Sequence, residues 1–274
     1  MLALILTAWI QGTEIRTRHP PRPQYGPPVI DDDGYFGESV AATYDESSAA
    51  MFAPEAVEPA VDVLAELAGE GRALELGVGT GRIALPLARR GVDVHGIELS
   101  RAMADRLRAK PGGEAVGVTI GDFASARAPG TYAVGYLVFN TIMNLTTQDA
   151  QVDCFRNVAA HLAPGGTFVV EVMVPELRKL PPGQNAVPFY VGENRLGFDT
   201  YDVATQAMAS NHVRVEDGRG SFRTIPFRYV WPAELDLMAR LAGMRLRDRW
   251  EDWSRAPFTN ESETHVSVWE KRAD

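Results

Sequence analysis

Residues 73–76 and 92–98 form short, mostly apolar runs that end at glycine or at an acid. That is the pattern of parallel strands buried on both faces. The stretch between them, 83–90, reads as a helix with Gly91 as the residue that ends it, and Pro86 falls near its first turn, where proline is tolerated. Upstream, Val57, Val61, Leu64 and Leu67 recur three and four apart and predict an amphipathic helix over 54–67. Downstream, 116–121 and 133–139 read as strands. Val152, Phe155, Ala159 and Leu162 give a further helix one apolar face, 163–166 ends it, and 167–172 is the next strand. The pattern then changes. Short alternating runs are separated by Gly192-Glu193-Asn194 and Glu216-Asp217-Gly218-Arg219, which are turn signals. Residues 206–215 and 221–230 predict an antiparallel hairpin. Pro232 opens a last helix through Leu235, Met238 and Leu241, ended by Gly243, and 245–250 and 264–270 complete the strands. The expectation is an α/β fold: a seven-stranded, mostly parallel sheet with helices on both faces and an inserted antiparallel β lid.

The chemistry concentrates between Arg72 and Ser100, RALELGVGTGRIALPLARRGVDVHGIELS. Strand, glycine turn, helix and strand follow in order, a βαβ unit that is right-handed by default. Glu75 precedes the turn, Gly77, Gly79 and Gly81 alternate through it, and Glu98 closes the second strand. Glycine permits positive φ and lets a ligand approach with no Cβ in the way. A dinucleotide fingerprint needs glycine at the sixth position, where Arg82 stands, and a P-loop needs G-K-[ST], which is absent.

The pattern E-x-G-x-G-x-G resembles motif I of the class I S-adenosylmethionine (SAM) methyltransferases. The likeness extends over roughly 55–175, including the L-x-P-G-G link at 162–166, and less closely to W-P-x-E-L-x-x-M-x-x-x-A-G-M at 231–244, which is similar to the tail of bacterial small-molecule members. It implies a Rossmann-like fold and SAM as cofactor. Glu75, Gly77, Gly79 and Gly81 would lie at the amino acid end of SAM. Glu98 would accept from both ribose hydroxyls, a task suited to a carboxylate, with Leu99 beside it. Asp122 would accept from the adenine amino group, with Phe123 and Phe139 as ring contacts. Turn chemistry is the other reading of Asp122, and core packing that of the two phenylalanines. Tyr44, in AATYDESSAAM over 41–51, matches a segment that closes over the cofactor, and its ring face suits a cation. Asn140 and Asn144, past the fourth strand, would face the acceptor, although Asn144 equally suits a loop turn. The inserted sheet resembles the lids of amino-sugar and glycine N-methyltransferases.

A base assists an amine or hydroxyl acceptor. Of five histidines, His212 in the lid is the candidate base and His265 a substrate-side candidate. His19 lies in the N-terminal segment, His95 inside a strand, and His161 at a helix end, where a cation suits the dipole. Glu171 and Arg228 read as surface or rim charges. Lys and Arg total 27 against 36 Asp and Glu, a net charge of −9, with no basic run; this disfavours nucleic acid as substrate. One cysteine, Cys154, cannot form an intrachain disulfide, and no Cys/His spacing suggests a metal. Residues 2–10 are apolar but far short of the ~20 needed to span a bilayer. These features predict a cytoplasmic enzyme without membrane or nucleic-acid partners, a small-molecule acceptor and a possible homodimer.

The expected organisation is an extended or disordered segment over 1–34, a SAM-binding core with an N-terminal cap over 35–175, a lid over 176–230, and the last helix and two strands over 231–274. The expected activity is methyl transfer to nitrogen or oxygen, releasing S-adenosylhomocysteine. A non-catalytic SAM-binding protein and an NAD(P)-dependent oxidoreductase are the alternatives.

Overall fold

A computed structural model describes residues 33–273; the expectation of an extended segment over 1–34 therefore falls almost wholly outside the described residues. Two short helices, α1 (Glu38–Ala41) and α2 (Tyr44–Ser47), lead into α3 (Pro54–Ala68). The sheet then begins with β1 (Ala73–Leu76), α4 (Ala84–Arg89), β2 (Val94–Glu98), α5 (Arg101–Arg108), β3 (Gly117–Ile120) and β4 (Tyr132–Leu137). Next come α6 (Gln148–His161) and β5 (Leu162–Met173). A second sheet comprises β6 (Ala186–Val191), β7 (Arg195–Tyr201), β8 (Ala207–Glu216) and β9 (Arg219–Arg228). The chain returns to the main sheet through α7 (Pro232–Leu241), β10 (Met244–Trp250) and β11 (Thr264–Lys271).

The main sheet has seven strands in the order β10-β11-β5-β4-β1-β2-β3. β1 through β5 pair in parallel, and β11 runs antiparallel to both β5 and β10. The strand order reverses direction at β1, which lies between β2 and β4. That switch point is where open α/β sheets bind ligands, beyond the carboxyl ends of the strands. All four residues of β1 and all five of β2 are buried, Glu75, His95 and Glu98 among them. Two apolar clusters cover the two faces. Val61, Leu64, Ile83 and Leu107 of the α3–α5 region lie against Val134 and Val169 on one face. Phe155, Leu235 and Met238 from α6 and α7 lie with Leu74, Phe168 and Trp269 on the other. Ring pairs among Phe155, Phe168 and Trp269, with centroids 4.9 to 6.2 Å apart, fill that second layer.

Several local expectations are corrected. β5 starts at Leu162, which pairs with Tyr132 before a register shift across the Ala163–Gly166 link, where Gly165 has φ 76°. Leu241 is 63 % exposed, so Leu235, Met238 and Ala239 form the buried side of α7. His161 is 4 % exposed rather than free at the helix end: its Nε2 accepts from the Ala128 amide at 3.0 Å and its Nδ1 lies 2.7 Å from the Asn157 carbonyl. Arg228 is not a rim charge but is 4 % exposed. It donates to Gln151 at 2.5 Å and to Glu234 at 2.7 Å, tying the second sheet to α6 and α7.

The second sheet stands over the carboxyl ends of β4 and β5. Its Val187, Tyr201 and Met208 join the same buried cluster as Ile142 and Met143, which follow β4. The Asp217-Gly218 hairpin tip has φ of 50° and 73° at its two residues, the left-handed pair that a two-residue turn with right-handed strand twist demands. Among the described residues no helix is long and apolar enough to cross a membrane.

Candidate active site

The turn after β1 is a cradle whose shape depends on glycine. Gly77 has φ 67°, and a Cβ there would stand 2.8 Å from Thr141 Cγ2. Gly81 has φ 82°, and a Cβ there would stand 3.0 Å from both Leu85 and Leu107. The amides of Gly77 and Val78 donate to the Ile97 carbonyl at 2.7 and 3.2 Å, which pins the turn against the end of β2. The Gly79 amide donates to Glu98 Oε2 at 2.7 Å, and the Ser100 amide to Oε1 at 2.9 Å. Glu98 is 7 % exposed, and burial outweighs these bonds and raises its pKa. Each oxygen retains a lone pair beyond its amide, so the carboxylate can still accept two donors side by side.

Glu75 lies beneath the turn, 3 % exposed. Parallel pairing sets it opposite Tyr136 of β4, whose hydroxyl donates to Glu75 Oε2 at 3.0 Å. Burial pushes the Glu75 carboxyl up to about 8, while Tyr136 and the charge of Arg82 lower it. Arg82 is a cation of this region. Its guanidinium sits 5.5 Å from the Phe139 ring centroid and acts electrostatically on Tyr44 as well as on Glu75. The residue that breaks the dinucleotide fingerprint thus has its own place, one that sequence pattern alone does not disclose.

A cap covers this end of the sheet. Tyr35, Phe36, Tyr44 and Phe52 form a chain of edge-to-face rings with centroids 5.2, 6.2 and 6.5 Å apart. Thr80, inside the glycine turn, donates to Asp45 Oδ1 at 2.6 Å, and Lys110 pairs with Asp45 Oδ2 at 2.5 Å. Ser100 donates to the Phe36 carbonyl at 2.8 Å. Tyr44 therefore lies beside the glycine turn, within the field of Glu98 and Glu75, and burial raises its phenol pKa. Leu99 is 43 % exposed and lies against Gly34.

Asp122 is exposed, and its Oδ1 accepts from the Ala124 amide at 2.8 Å while its carbonyl accepts from Ser125 and Ala126. It shapes a turn, the reading set beside adenine recognition, and its other oxygen is left without a bond of this kind. Phe123 is 8 % exposed, with its ring 3.8 Å from where a Gly77 Cβ would stand. It is a core aromatic at the cradle wall. Phe139 is 49 % exposed with φ 53°, and Asn140 follows at φ 61°. Glu171 holds this left-handed turn: its Oε2 accepts from the Phe139 amide at 2.8 Å. Asn140 Oδ1 accepts from the Met173 amide at 2.7 Å, so this side chain also ties β4 to β5. The half-buried Asn144 side chain makes no hydrogen bond among the described residues. Glu171 read as a rim charge from sequence; its partner, a backbone amide across the sheet, carries no sequence signal.

His212 lies on the face of β8 that also carries Met208 and Ser210. Its Nε2 is 3.3 Å from the Ser210 hydroxyl and its ring meets Phe189 at 5.4 Å. Burial, then Arg195 and Arg223, lower its pKa, which keeps the imidazole neutral at physiological pH. His265 is fully buried, with Nδ1 2.8 Å from the Ser267 hydroxyl and its ring 5.6 Å from Phe258. Burial, assisted by Arg249, drives its pKa down to about 3. It is enclosed by Phe258 and the α7–β10 side rather than grouped with His212.

A methyltransferase domain model matches residues 73–166. The chain is 26 % identical over 253 residues to the cypemycin N-terminal methyltransferase of a Streptomyces species, covering 89 % of this chain and 100 % of that protein. Among solved structures, the CcbJ methyltransferase from Streptomyces caelestis is similar at 37 % identity and a TM-score of 0.76, covering 89 % of this chain and 100 % of that one. CalS10 from Micromonospora echinaspora, an amino pentose methyltransferase solved with SAM bound, shares the fold at 22 % identity and a TM-score of 0.60, over 78 % of this chain and 90 % of that one.

Proposed function

The chain belongs to the class I SAM-dependent methyltransferases, and from that premise we propose that its acceptor is a small molecule methylated at nitrogen or oxygen, with S-adenosylhomocysteine released. The observation that carries this reading is the placement of the second sheet. Its Val187, Tyr201 and Met208 are buried with the residues just past β4, and Arg223 of β9 stacks 5.3 Å above the Tyr35 ring of the cap. Lid and cap meet over the carboxyl ends of the strands, which suits a compact acceptor better than a polymer. Two similar proteins are named for the N-terminus of cypemycin and for an amino pentose.

The residues present fit SAM. A Cβ at Gly77 would crowd Thr141 and one at Gly81 would crowd Leu85 and Leu107, Glu98 keeps free lone pairs for the ribose hydroxyls, and Glu75 is an acid that a cationic cofactor would favour in its ionised form. When bound, SAM supplies a methyl group carried on a positively charged sulfur. We assign Glu75, Gly77, Gly79, Gly81, Glu98 and Leu99 to its binding, with Asp122, Phe123 and Phe139 at the adenine side. Tyr44 presents an aromatic face beside the acids, where a cation is favoured. The chain's remaining work is positional: cap and lid exclude water and hold the acceptor in line with the transferred group, and proximity supplies much of the rate. Neutral His212 is in the form a base requires, and Asn140 and Asn144 border the acceptor space.

The test is transfer of radiolabelled methyl from SAM to a panel of amino sugars, amino acid amides and phenols, run beside tRNA, duplex DNA and denatured protein. Label in the small-molecule panel alone is expected; label in a macromolecule alone would overturn the assignment. Calorimetric titration with S-adenosylhomocysteine, and loss of that binding in Glu98→Ala, checks the cofactor assignments separately.

A further inference from the structure

Gly197, Asp199 and Tyr201 alternate on one face of β7. Their partners on β8 are His212, Ser210 and Met208, and beyond those on β9 Arg223, Ile225 and Phe227. This face looks inward. At one end Tyr201 and Met208 are buried with Ile142 and Met143 beyond β4, and at the other Arg223 reaches the Tyr35 ring of the cap. Asp199 stands between these two anchors, above the space that cap, lid and strand ends enclose.

Asp199 is only 9 % exposed, and its Oδ1 has no hydrogen-bond partner. The hydroxyl of Tyr201, 4 % exposed, has none either. Buried polar atoms are nearly always paired, and a buried carboxylate without a partner is costly. No cation among the described residues pairs with Asp199; the charged group that acts on it is another acid, Glu176, in the turn after β5. On Tyr201 the Glu176 charge raises the phenol pKa while the Glu176 backbone, directed toward the hydroxyl, lowers it. A negative, donor-hungry spot has therefore been built into the inner face of the lid.

We propose that Asp199 and Tyr201 bind the amine of the acceptor, so that this methyltransferase acts on an aliphatic amine rather than on a hydroxyl. The proposal rests on the small-molecule methyltransferase reading and names the acceptor class. An amine brings the N–H donors that Asp199 Oδ1 lacks, and an ammonium brings a positive charge to that carboxylate, Glu176 being already paired with Lys179; the nitrogen accepts the methyl group only after passing one proton to Asp199, which frees its lone pair. A hydroxyl acceptor would have to move toward an alkoxide next to two carboxyl groups, which that field opposes. The Tyr201 hydroxyl can accept a second N–H or donate to a neutral nitrogen. Burial lifts the Asp199 carboxyl to about 6, with Ser210 lowering it and Glu176 raising it; it is thus largely ionised near neutral pH and able to hold a cation.

The experiment uses full-length protein loaded with S-adenosylhomocysteine, with ¹³C-labelled aspartate and the Asp199 carboxyl resonance assigned through Asp199→Asn. L-alaninamide is the amine probe and L-lactamide its hydroxyl counterpart. Alaninamide is expected to move the Asp199 resonance and lactamide to leave it in place. Alaninamide affinity should fall about tenfold or more in Asp199→Asn, the loss of a charge-assisted hydrogen bond, and by less in Tyr201→Phe, while S-adenosylhomocysteine binds both variants as it binds the parent. Equal shifts with both probes, or none with either while S-adenosylhomocysteine still binds, would overturn the assignment of Asp199. Failure of the parent protein to bind S-adenosylhomocysteine would instead overturn the methyltransferase reading beneath it.

Discussion

The two acids flanking the glycine turn differ in what surrounds them, and that difference is testable. Glu98 is held by backbone amides, those of Gly79 and Ser100 foremost; Glu75 has the Tyr136 hydroxyl and a weaker bond from the Ala84 backbone against complete burial, and its pKa rises to about 8 from an ordinary 4.5. Between those two values the folded protein holds a proton that the unfolded chain has lost. Stability from this group is therefore fully present below the lower value and is lost as pH rises through the upper one, by up to about 1.4 kcal/mol per pH unit. The ligand-free protein should melt lower at pH 9 than at pH 6, and Glu75→Gln should flatten that slope; thermal melts across this range, in the parent and the variant, check it. A cationic cofactor favours the ionised form, so SAM binding near pH 7 should release protons, read from calorimetric enthalpies in buffers of different ionisation heat. A slope unchanged in Glu75→Gln would show that another group carries the titration. How Glu75 would behave was only half legible in the sequence. Its position ahead of the glycines marked it, but its partner Tyr136 depends on which strand lies beside β1 and in which register. Glu171 and Arg228 make the same point: both look like rim charges along the chain, and both are bound to groups that only the folded sheet brings near.

At the level of elements, the main sheet was readable because each βαβ step is punctuated by glycine, proline or an acid, and because buried parallel strands give mostly apolar runs. The lid was readable as an antiparallel sheet from its turns, yet which of its faces looks inward was not. Alternation defines two faces, and only the anchoring of Tyr201 and Met208 on the residues past β4 chooses between them. That anchoring has a polar counterpart in Arg228. With the guanidinium bonded to Gln151, Gln206 and Glu234, Arg228→Met should destabilise the protein by about 3 kcal/mol, since it leaves Glu234 without its cation and the Gln151 and Gln206 oxygens without that donor. Arg228→Lys should recover little, because an ammonium cannot reproduce the fork; urea unfolding of the three proteins measures this. The cap is held more lightly. The Asp45–Lys110 pair is partly exposed, with side chains 41 % and 26 % accessible, so it adds at most about 1 kcal/mol of stability. Because Asp45 also accepts from Thr80 in the glycine turn, Asp45→Ala should affect binding more than folding. Its melting temperature should stay near that of the parent while S-adenosylhomocysteine dissociates faster in stopped-flow measurements. An unchanged dissociation rate would mean that the cap does not ride on this latch.

At the scale of the whole molecule, the lid reads along the chain as an insertion that could be a separate body, whereas its interior argues for one. Val187, Tyr201, Met208 and Tyr229 belong to the same buried cluster as Phe155 of α6 and Trp269 of β11. A four-stranded sheet with one face committed in this way cannot keep its own apolar side from water once the main sheet melts. Unfolding the core should therefore unfold the lid. Trp231 stands at the junction, its ring 6.3 Å from Tyr229, and Trp269 is fully buried in the main sheet. Single-tryptophan versions carrying one or the other as the only indole report on the two regions separately. The expected result is a single urea transition with the same midpoint for both indoles and for the far-ultraviolet circular dichroism, the signature of one cooperative unit. Two separated midpoints, with the Trp231 signal changing first, would show that the lid folds on its own. Acceptor recognition by Asp199 would then depend on a sheet able to detach from the cofactor site, not on one fixed above it.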